Sequence, residues 1–164
     1  MANLCIAAPL ALRDFLLAPD GLNSRAYQIM VRDMVNLPEL TEENVSLRHV
    51  SADLSDTSSP AIYPSVFLYC DSIENRLERK FTDFSGRIFL VADVRVSGEE
   101  ISEIDGDVAR IAEAVTEVLA DHIGKWTDNL AFDGKFEVTF SPVRLGGVNY
   151  LQTAEINMEL IGSA

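Results

Sequence analysis

Few side chains in this sequence are of the types that do chemistry, and none stands in a catalytic pattern. Histidine occurs only at positions 49 and 122. No serine or cysteine nucleophile motif accompanies either residue. His122 falls at the end of a predicted helix, where an imidazolium would favour the helix dipole. We therefore expect structural roles for His49 and His122 and predict no catalytic residue.

Carboxylates form the densest cluster of potential ligands, immediately before the longest predicted helix. They are Glu99, Glu100, Glu103, Asp105 and Asp107. Acidic side chains are favourable at the positive N-terminal end of a helix, which explains the cluster without a metal ion. The segment DNLAFDG, residues 128–134, lacks oxygen ligands at the spacing of a calcium loop. We predict no metal and no cofactor; if the chain were an enzyme, this cluster would supply its catalytic carboxylates.

The glycine pair Gly146-Gly147 is the other candidate binding motif, because glycine-rich loops can bind phosphate. No lysine follows the pair at P-loop spacing and no helix begins there, so we assign it to a hairpin loop. The hairpin joins the strand FEVTF, 136–140, to a long final strand.

The register of this hairpin depends on the length of its loop. A two-residue turn at the glycines would place Phe140 opposite Thr153 and mix core with solvent residues along both strands. A three-residue loop, 146–148, instead pairs Phe140 with Ala154, and a bulge beside Pro142 has the same effect. Either arrangement lets Phe136, Val138 and Phe140 face the core.

Four cations gather between residues 76 and 87 of a chain that is otherwise acidic; we call them the 76–87 cations. They are Arg76, Arg79, Lys80 and Arg87. Because acidic residues interleave with them, a solvated charged face is one interpretation. The alternative is a docking surface for an acidic neighbour, such as a second copy of this chain. Trp126 is a further candidate, as an anchor in the core or at an interface.

Length and composition indicate one soluble domain, 1–164. The chain has 164 residues, 48% of them apolar, which is enough for a packed core. No apolar run approaches the roughly 20 residues of a membrane helix, and no basic residue precedes the apolar N-terminal part as in a secretory signal. Cys5 and Cys70 lie far apart without CxxC spacing, so we expect no disulfide, two buried thiols and a reducing compartment.

The charge balance constrains the partners of the chain. It carries 13 Lys and Arg residues against 26 Asp and Glu residues, a formal net charge of −13. Phosphate binding depends on clustered cations, so such a chain should repel nucleic acid. Solubility is the simpler interpretation of the charge. The alternative is a surface past which a polyanion slides without binding.

The first third, 1–60, is predicted to be a helical lead-in. Apolar spacing predicts a helix from Ala8 to Ala18, with Pro9 in its first turn. Asn23 or Ser24 is predicted to cap a second helix that ends before Pro38. A short strand and a mobile loop are predicted to follow, at 44–51 and 52–60.

The remainder, 61–164, is predicted to form a sheet with one long helix. Alternating or continuous apolar runs predict strands at 62–70, 87–97, 136–140 and 154–160. The segment 72–87 is predicted to be an extended arm. A helix capped by Ser102 should end near Gly124 and lie across the sheet, and Asp133-Gly134 has the composition of a tight turn.

This order of elements predicts an α+β fold. It consists of a mostly antiparallel sheet, one long helix packed across it and two short N-terminal helices.

Several of these segments are similar to a known family. They are YPSVFLYCD, ENRLERKF, the FSG before the most apolar strand and the GG-x-N-Y-L-Q-T-A ending, which with the long helix span about Tyr63 to Leu160. In these packing and turn patterns the sequence resembles the tail terminator, or tail completion, proteins in the neck of tailed bacteriophages.

The resemblance implies a structural virion protein, not an enzyme. Such a protein closes into a ring, usually of six copies, at the head-proximal end of the tail tube, where it stops tail growth and joins the tail to the head. The implied partners are other copies of the chain, the tail tube protein and the head-side connector, with DNA passing through the lumen unbound. The implied location is the virion, after assembly in the host cytoplasm.

From the same resemblance we expect the 76–87 cations and Trp126 to lie at an interface with another subunit or with the tail tube. A ring needs a heterologous contact, in which one surface differs from the surface it meets. Three alternatives remain open: a head-tail connector or other tail component, a small non-viral ligand-binding domain or enzyme, and an acidic mimic of nucleic acid.

Overall fold

The computed structural model describes residues 3–48, 62–76 and 84–163, and they form an α+β fold. The helices are α1 (Leu4–Leu17), α2 (Leu22–Asp33) and α3 (Ile101–Asp121), with a 3₁₀ turn at Glu42–Asn44. The strands are β1 (Val45–Ser46), β2 (Ser65–Asn75), β3 (Ser85–Gly98), β4 (Gly124–Thr127), β5 (Leu130–Phe140), β6 (Arg144–Gly146) and β7 (Asn149–Ser163). The predicted fold class is therefore confirmed.

Within these described residues one sheet has the order β1-β2-β3-β7-β5-β4, with β6 also paired to β7. Only the short β1–β2 pair is parallel; every other pair is antiparallel. Strands β3 and β7 are the centre of the sheet and remain in register from Ser85↔Ser163 to Gly98↔Tyr150. The predicted mobile loop, 52–60, lies outside the described residues.

The core lies between the sheet and α3. Alternate residues of β3, from Ile88 to Val96, are buried on the face that α3 covers, and the matching residues of β7 are buried beside them. Side chains of α3 fill the other half of this layer at helical spacing: Ile104, Val108, Ile111, Val115, Val118 and Leu119. The predicted strand at 87–97 and the predicted packing of one long helix across the sheet are both confirmed.

The starts of all three helices differ from the predictions. Helix α1 begins at Leu4, so Pro9 lies inside it and not in its first turn. Gly21 is the N-cap of α2, because a Cβ there would lie 2.4 Å from the carbonyl oxygen of Leu16. The predicted cap Asn23 instead accepts a hydrogen bond from the backbone N–H of Leu40, at 2.9 Å.

The N-terminus of α3 also lacks the predicted cap. Ser102 is inside the helix, Glu100 is the N-cap, and its side chain makes no capping hydrogen bond. The backbone N–H of Glu103 instead donates to the Glu100 carbonyl, at 3.3 Å. The acidic side chains before the helix therefore stabilise its N-terminal end through their negative charge and not through a capping hydrogen bond.

Asp133-Gly134 is a bulge inside β5 and not the predicted tight turn. The register with β7 shifts between Phe132 and Phe136, and Gly134 has φ +92°. The turn between β4 and β5 instead lies at 128–129, next to the Thr127↔Leu130 pair. Glycine with positive φ serves a bulge as well as a turn, so the sequence alone did not distinguish the two.

The final hairpin has the predicted register but a shorter loop. Strand β5 pairs Phe140 with Ala154, as predicted. Strand β6 pairs Gly146 with Asn149, so the loop is the two residues 147–148, with Gly147 at φ +79°. The extra residue needed for this register lies between β5 and β6, beside Pro142 as the second alternative predicted.

Candidate interaction surfaces

Two of the 76–87 cations lie close together at one end of the sheet, and both contact carboxylates of their own chain. The guanidinium of Arg76 donates to both carboxylate oxygens of Glu74, at 2.9 and 3.0 Å. Arg87 is the cross-strand partner of Glu74 and forms a salt bridge with Glu159, at 2.8 Å. Arg79 and Lys80 lie outside the described residues.

These contacts change the electrostatics of the cluster. The hydrogen bond from Arg76 lowers the pKa of Glu74 below its usual range, and the charges of Arg76 and Arg87 add to this effect. Each arginine therefore has a carboxylate within reach, and exposed pairs of this kind contribute little to stability. The described part of the cluster consists of ion pairs, and its role as a docking surface stays a prediction.

Trp126 lies in an aromatic cluster on the helix-covered face of the sheet. Its indole N–H donates to the carbonyl of His122 at 2.7 Å, and its ring lies 5.3 Å from that of Phe15 and 5.5 Å from that of Phe132. Phe132 is part of the core. Arg87 alternates with buried Ile88 and so lies on the opposite face of the sheet, which means that the structure does not bring Trp126 and the cations into one surface.

His122 has the structural role that its position predicted. Its Nδ1 donates to the carbonyl of Val118 at 2.7 Å, and its ring stacks on Phe15 with the centroids 4.0 Å apart. This contact connects the C-terminal end of α3 to α1. His49 lies outside the described residues.

The final hairpin exposes the largest apolar side chains of the sheet. Phe136 and Phe140 are 41% and 49% exposed, although they were predicted to face the core, whereas Val138 between them is half-buried. Leu145 and Val148 at the tip are 69% and 98% exposed. We call these five residues the apolar hairpin. None of the described helices covers this end of β5, which explains why the predicted burial is wrong for the two phenylalanines.

The backbone of β5 is also available beside these side chains. Ser141 N–H donates to the carbonyl of Thr153 at 2.9 Å, which makes this a hydrogen-bonded pair of the ladder. Because such pairs alternate, the N–H and C=O groups of Phe140 and Val138 point away from β7, toward the outer edge. Strand β4 pairs only with 130–132, so among the described residues no strand covers the edge of β5 from 133 to 140.

The opposite edge of the sheet is open in the same way. Strand β1 pairs only with Val66 and Phe67 of β2. From Asp71 to Asn75 the residues of β2 are exposed, and no described strand pairs with their outer side. Among the described strands the sheet therefore has two different open edges, which a pairing strand would recognise through backbone hydrogen bonds.

An ion pair that the sequence analysis missed lies on the face of β3 away from α3. The guanidinium of Arg95 donates twice to one carboxylate oxygen of Asp93, at 2.9 and 2.7 Å, and lies 4.5 Å above the ring of Phe67. Arg95 and Asp93 are only 4% and 5% exposed. The sequence does show two charged residues that alternate with the apolar residues of the most apolar strand. Charged residues at such positions would ordinarily be expected to face solvent.

Tyr69 lies in the strand next to this ion pair. Burial raises the pKa of the Tyr69 phenol to about 12, and the charges of Asp93 and Glu155 act in the same direction. The phenol is therefore protonated at neutral pH. Phe67 and Tyr69 therefore lie beside the buried ion pair on this face of the sheet.

Shallow grooves also lie on the surface of the described residues. One, of about 440 Å³, lies between α2 and the segment that follows it, with Tyr27 and Met30 on one wall and Leu37 on the other. The second, of about 360 Å³, lies over β5 and β7 near Lys135 and Glu159. In the described parts of the chain no group of three or more His, Cys, Asp or Glu side chains is placed to hold a metal ion.

No described helix has the length and apolar character needed to cross a membrane. Comparison with known protein families gives no matching family model, and no curated protein matches the sequence.

Proposed function

We propose that this chain is a structural protein that assembles with copies of itself into a ring, and that it acts as a tail terminator of a tailed bacteriophage. The observation that supports self-assembly is the open edge of β5 beside the apolar hairpin. Exposed strand edges next to exposed apolar side chains favour pairing with another chain, because both the backbone groups and the apolar surface gain partners.

A second copy of this chain is the occupant that the two open edges favour. The strand registers place the open part of β5 directly across the sheet from Val66–Cys70 of β2. The open part of β2, Asp71–Asn75, lies further along that strand, toward the other end of the sheet. Pairing β5 of one copy with β2 of the next would therefore join different surfaces, with a stagger along the strands. Heterologous contacts of this type generate rings when the rotation closes.

The charge of the chain suits a ring through which DNA passes. The formal net charge is −13, and the described arginines of the 76–87 cations have carboxylates within their own chain. An acidic lumen would repel the phosphate backbone and leave DNA free to move. The finer assignment to the end of the tail tube, between the tube protein and the head-side connector, rests on the resemblance of the segments between Tyr63 and Leu160.

Electron microscopy of phage particles assembled without this protein tests the proposed function. We expect tails of uncontrolled length, or separate heads and tails, with normal particles restored when the chain is supplied in trans. A head-tail connector would give unjoined heads and tails of normal length. Normal virions in the absence of the chain would contradict the proposal.

A further inference from the structure

The two cysteines of the chain lie side by side although 64 residues separate them in sequence. Cys5 is in the first turn of α1 and Cys70 is in β2, and their sulfur atoms are 3.1 Å apart. Both are free thiols and both are half-buried. The sequence spacing gave no sign of this contact, and the half-burial of both residues differs from the expectation of two buried thiols.

The local backbone on both sides can supply the small movement that a bond requires. A disulfide needs sulfur atoms about 2 Å apart, so the two sulfurs must approach by roughly 1 Å. The register of β2 shifts immediately after Cys70, where Asp71 is the extra residue of a bulge. Helix α1 starts at Leu4 without a side-chain cap, so the first turn, which holds Cys5, lacks the restraint that a capping hydrogen bond would add.

The environment of Cys70 determines the order of the chemistry. Burial raises the pKa of the Cys70 thiol to about 12, with the hydrogen bond to Cys5 and the charge of Asp71 adding to it. Since the thiolate is the nucleophile in thiol chemistry, the raised pKa disfavours Cys70 as the sulfur that attacks first. The first attack is therefore assigned to Cys5, and Cys70 completes the bond from 3.1 Å away.

We propose that Cys5 and Cys70 are a modification site, at which a small-molecule disulfide such as oxidised glutathione converts the two thiols into an intramolecular disulfide. The Cys5 thiolate attacks the small disulfide, forms a mixed disulfide and releases one thiol. Cys70 then attacks the sulfur of Cys5, gives up its proton and releases the second thiol. The protein loses two electrons and two protons, and the small disulfide gains both as two thiols.

The bond would fasten the N-terminal helix to the sheet. Helix α1 packs on β2 and β3, and Leu4, Ala8, Leu12 and Leu16 are its core residues. A covalent link between α1 and β2 closes a long loop of the chain and so reduces the conformational freedom of the unfolded state. This inference goes beyond the proposed function and does not depend on it.

Incubation of the reduced, full-length protein with oxidised glutathione tests the inference. We expect the intact mass to fall by about 2 Da, the mass of two hydrogens, and a tryptic peptide that joins Cys5 to Cys70 to appear without reductant. We also expect the melting temperature to rise by about 10 °C on oxidation and to return with dithiothreitol.

Cys5→Ser and Cys70→Ser variants are the controls, since serine has nearly the shape of cysteine. Each single variant should keep its mass or gain one glutathione, and should show no rise in melting temperature. Three results would overturn the inference: two alkylatable thiols in the oxidised wild type, stable glutathione adducts on it, or disulfide-linked dimers in place of the internal bond. A melting temperature lowered by the internal bond would also count against it, because the native arrangement would then not accommodate the link.

Discussion

At the scale of single residues, ion pairs between arginine and carboxylate side chains connect α2 to α3. The guanidinium of Arg32 donates to both oxygens of Glu113, at 2.6 and 2.9 Å, and this bond lowers the pKa of Glu113 below its usual 4.5. A depressed carboxylate pKa stabilises the folded state above the unfolded pKa and loses this effect as the pH falls through the folded pKa.

The first prediction follows from the direction of this pKa shift. Glu113→Gln should lower the free energy of unfolding at neutral pH, and the difference from wild type should shrink as the pH falls below the usual pKa of a glutamate and through the lowered pKa of the folded state. Urea unfolding at several pH values measures it. A difference that stays constant down to the lowest pH would show that the charge of Glu113 is not the cause.

The buried ion pair on β3 leads to the second prediction. Arg95→Met should cost about 3–5 kcal/mol of unfolding free energy, because it leaves the Asp93 carboxylate buried without its guanidinium. Arg32→Met breaks an ion pair that is exposed and is the matched control, for which the unfolding midpoint should shift much less than for Arg95→Met. Equal midpoint shifts for the two variants would contradict the difference in burial.

Two glycines give opposite expectations at the element scale. Gly134→Ala should destabilise the protein by about 1–3 kcal/mol, since Gly134 has φ +92° and a Cβ there would lie 3.0 Å from Ile123. Gly106→Ala is the control inside α3 and should stabilise by up to about 1 kcal/mol, because a Cβ there meets only the flexible end of Arg110. Thermal or urea unfolding measures both, and the same sign for both variants would sink the prediction.

The open edge of β5 gives a second element-scale prediction. Phe140→Pro should weaken self-association while preserving the fold, because the Phe140 N–H points away from β7 and its loss breaks no bond of the sheet. Phe140→Val is the control, since it shortens the side chain but keeps the N–H. Sedimentation at matched concentrations compares them, with circular dichroism to check folding. Equal association of the two variants would argue against strand pairing at this edge.

The sequence predicted best the elements whose hydrophobic period is unbroken. The even-numbered face of β3 and the seam of α3 follow from alternation and helical spacing, because burial of one face determines both patterns. The helix starts and the bulge in β5 were predicted incorrectly. The start of α2 depends on a close approach of two backbone segments at Gly21, and the bulge depends on the pairing of β5 with β7. Neither contact can be read from the local amino-acid composition.

In the candidate surfaces, too, contacts between segments distant in sequence were not predicted. Arg76 and Arg87 both lie next to Glu74, and their role at an interface stays a prediction. The exposure of Phe136 and Phe140, the Asp93–Arg95 pair and the contact between Cys5 and Cys70 were all missed. The exposure of the phenylalanines, the burial of the ion pair within β3 and the cysteine contact each depend on which strand or helix is the neighbour in space, and a single sequence gives no register between distant segments.

At the scale of the whole molecule, two unlike open edges on one sheet predict a staggered assembly of identical copies. Leu145 and Val148 are the most exposed residues of the apolar hairpin, so lysine at both positions should leave the fold intact while placing charge in the contact. Val31→Lys is the matched control, since Val31 is exposed on α2, away from both edges.

Native mass measurement of the purified chain over a range of concentrations tests self-assembly most directly. Wild type and Val31→Lys should reach a closed species of several copies, six for the expected ring, each copy contributing 18.1 kDa. The Leu145→Lys/Val148→Lys double variant should remain at the mass of a single chain. A wild type that stays a monomer at every concentration, or a double variant that assembles as the wild type does, would contradict self-assembly through this hairpin.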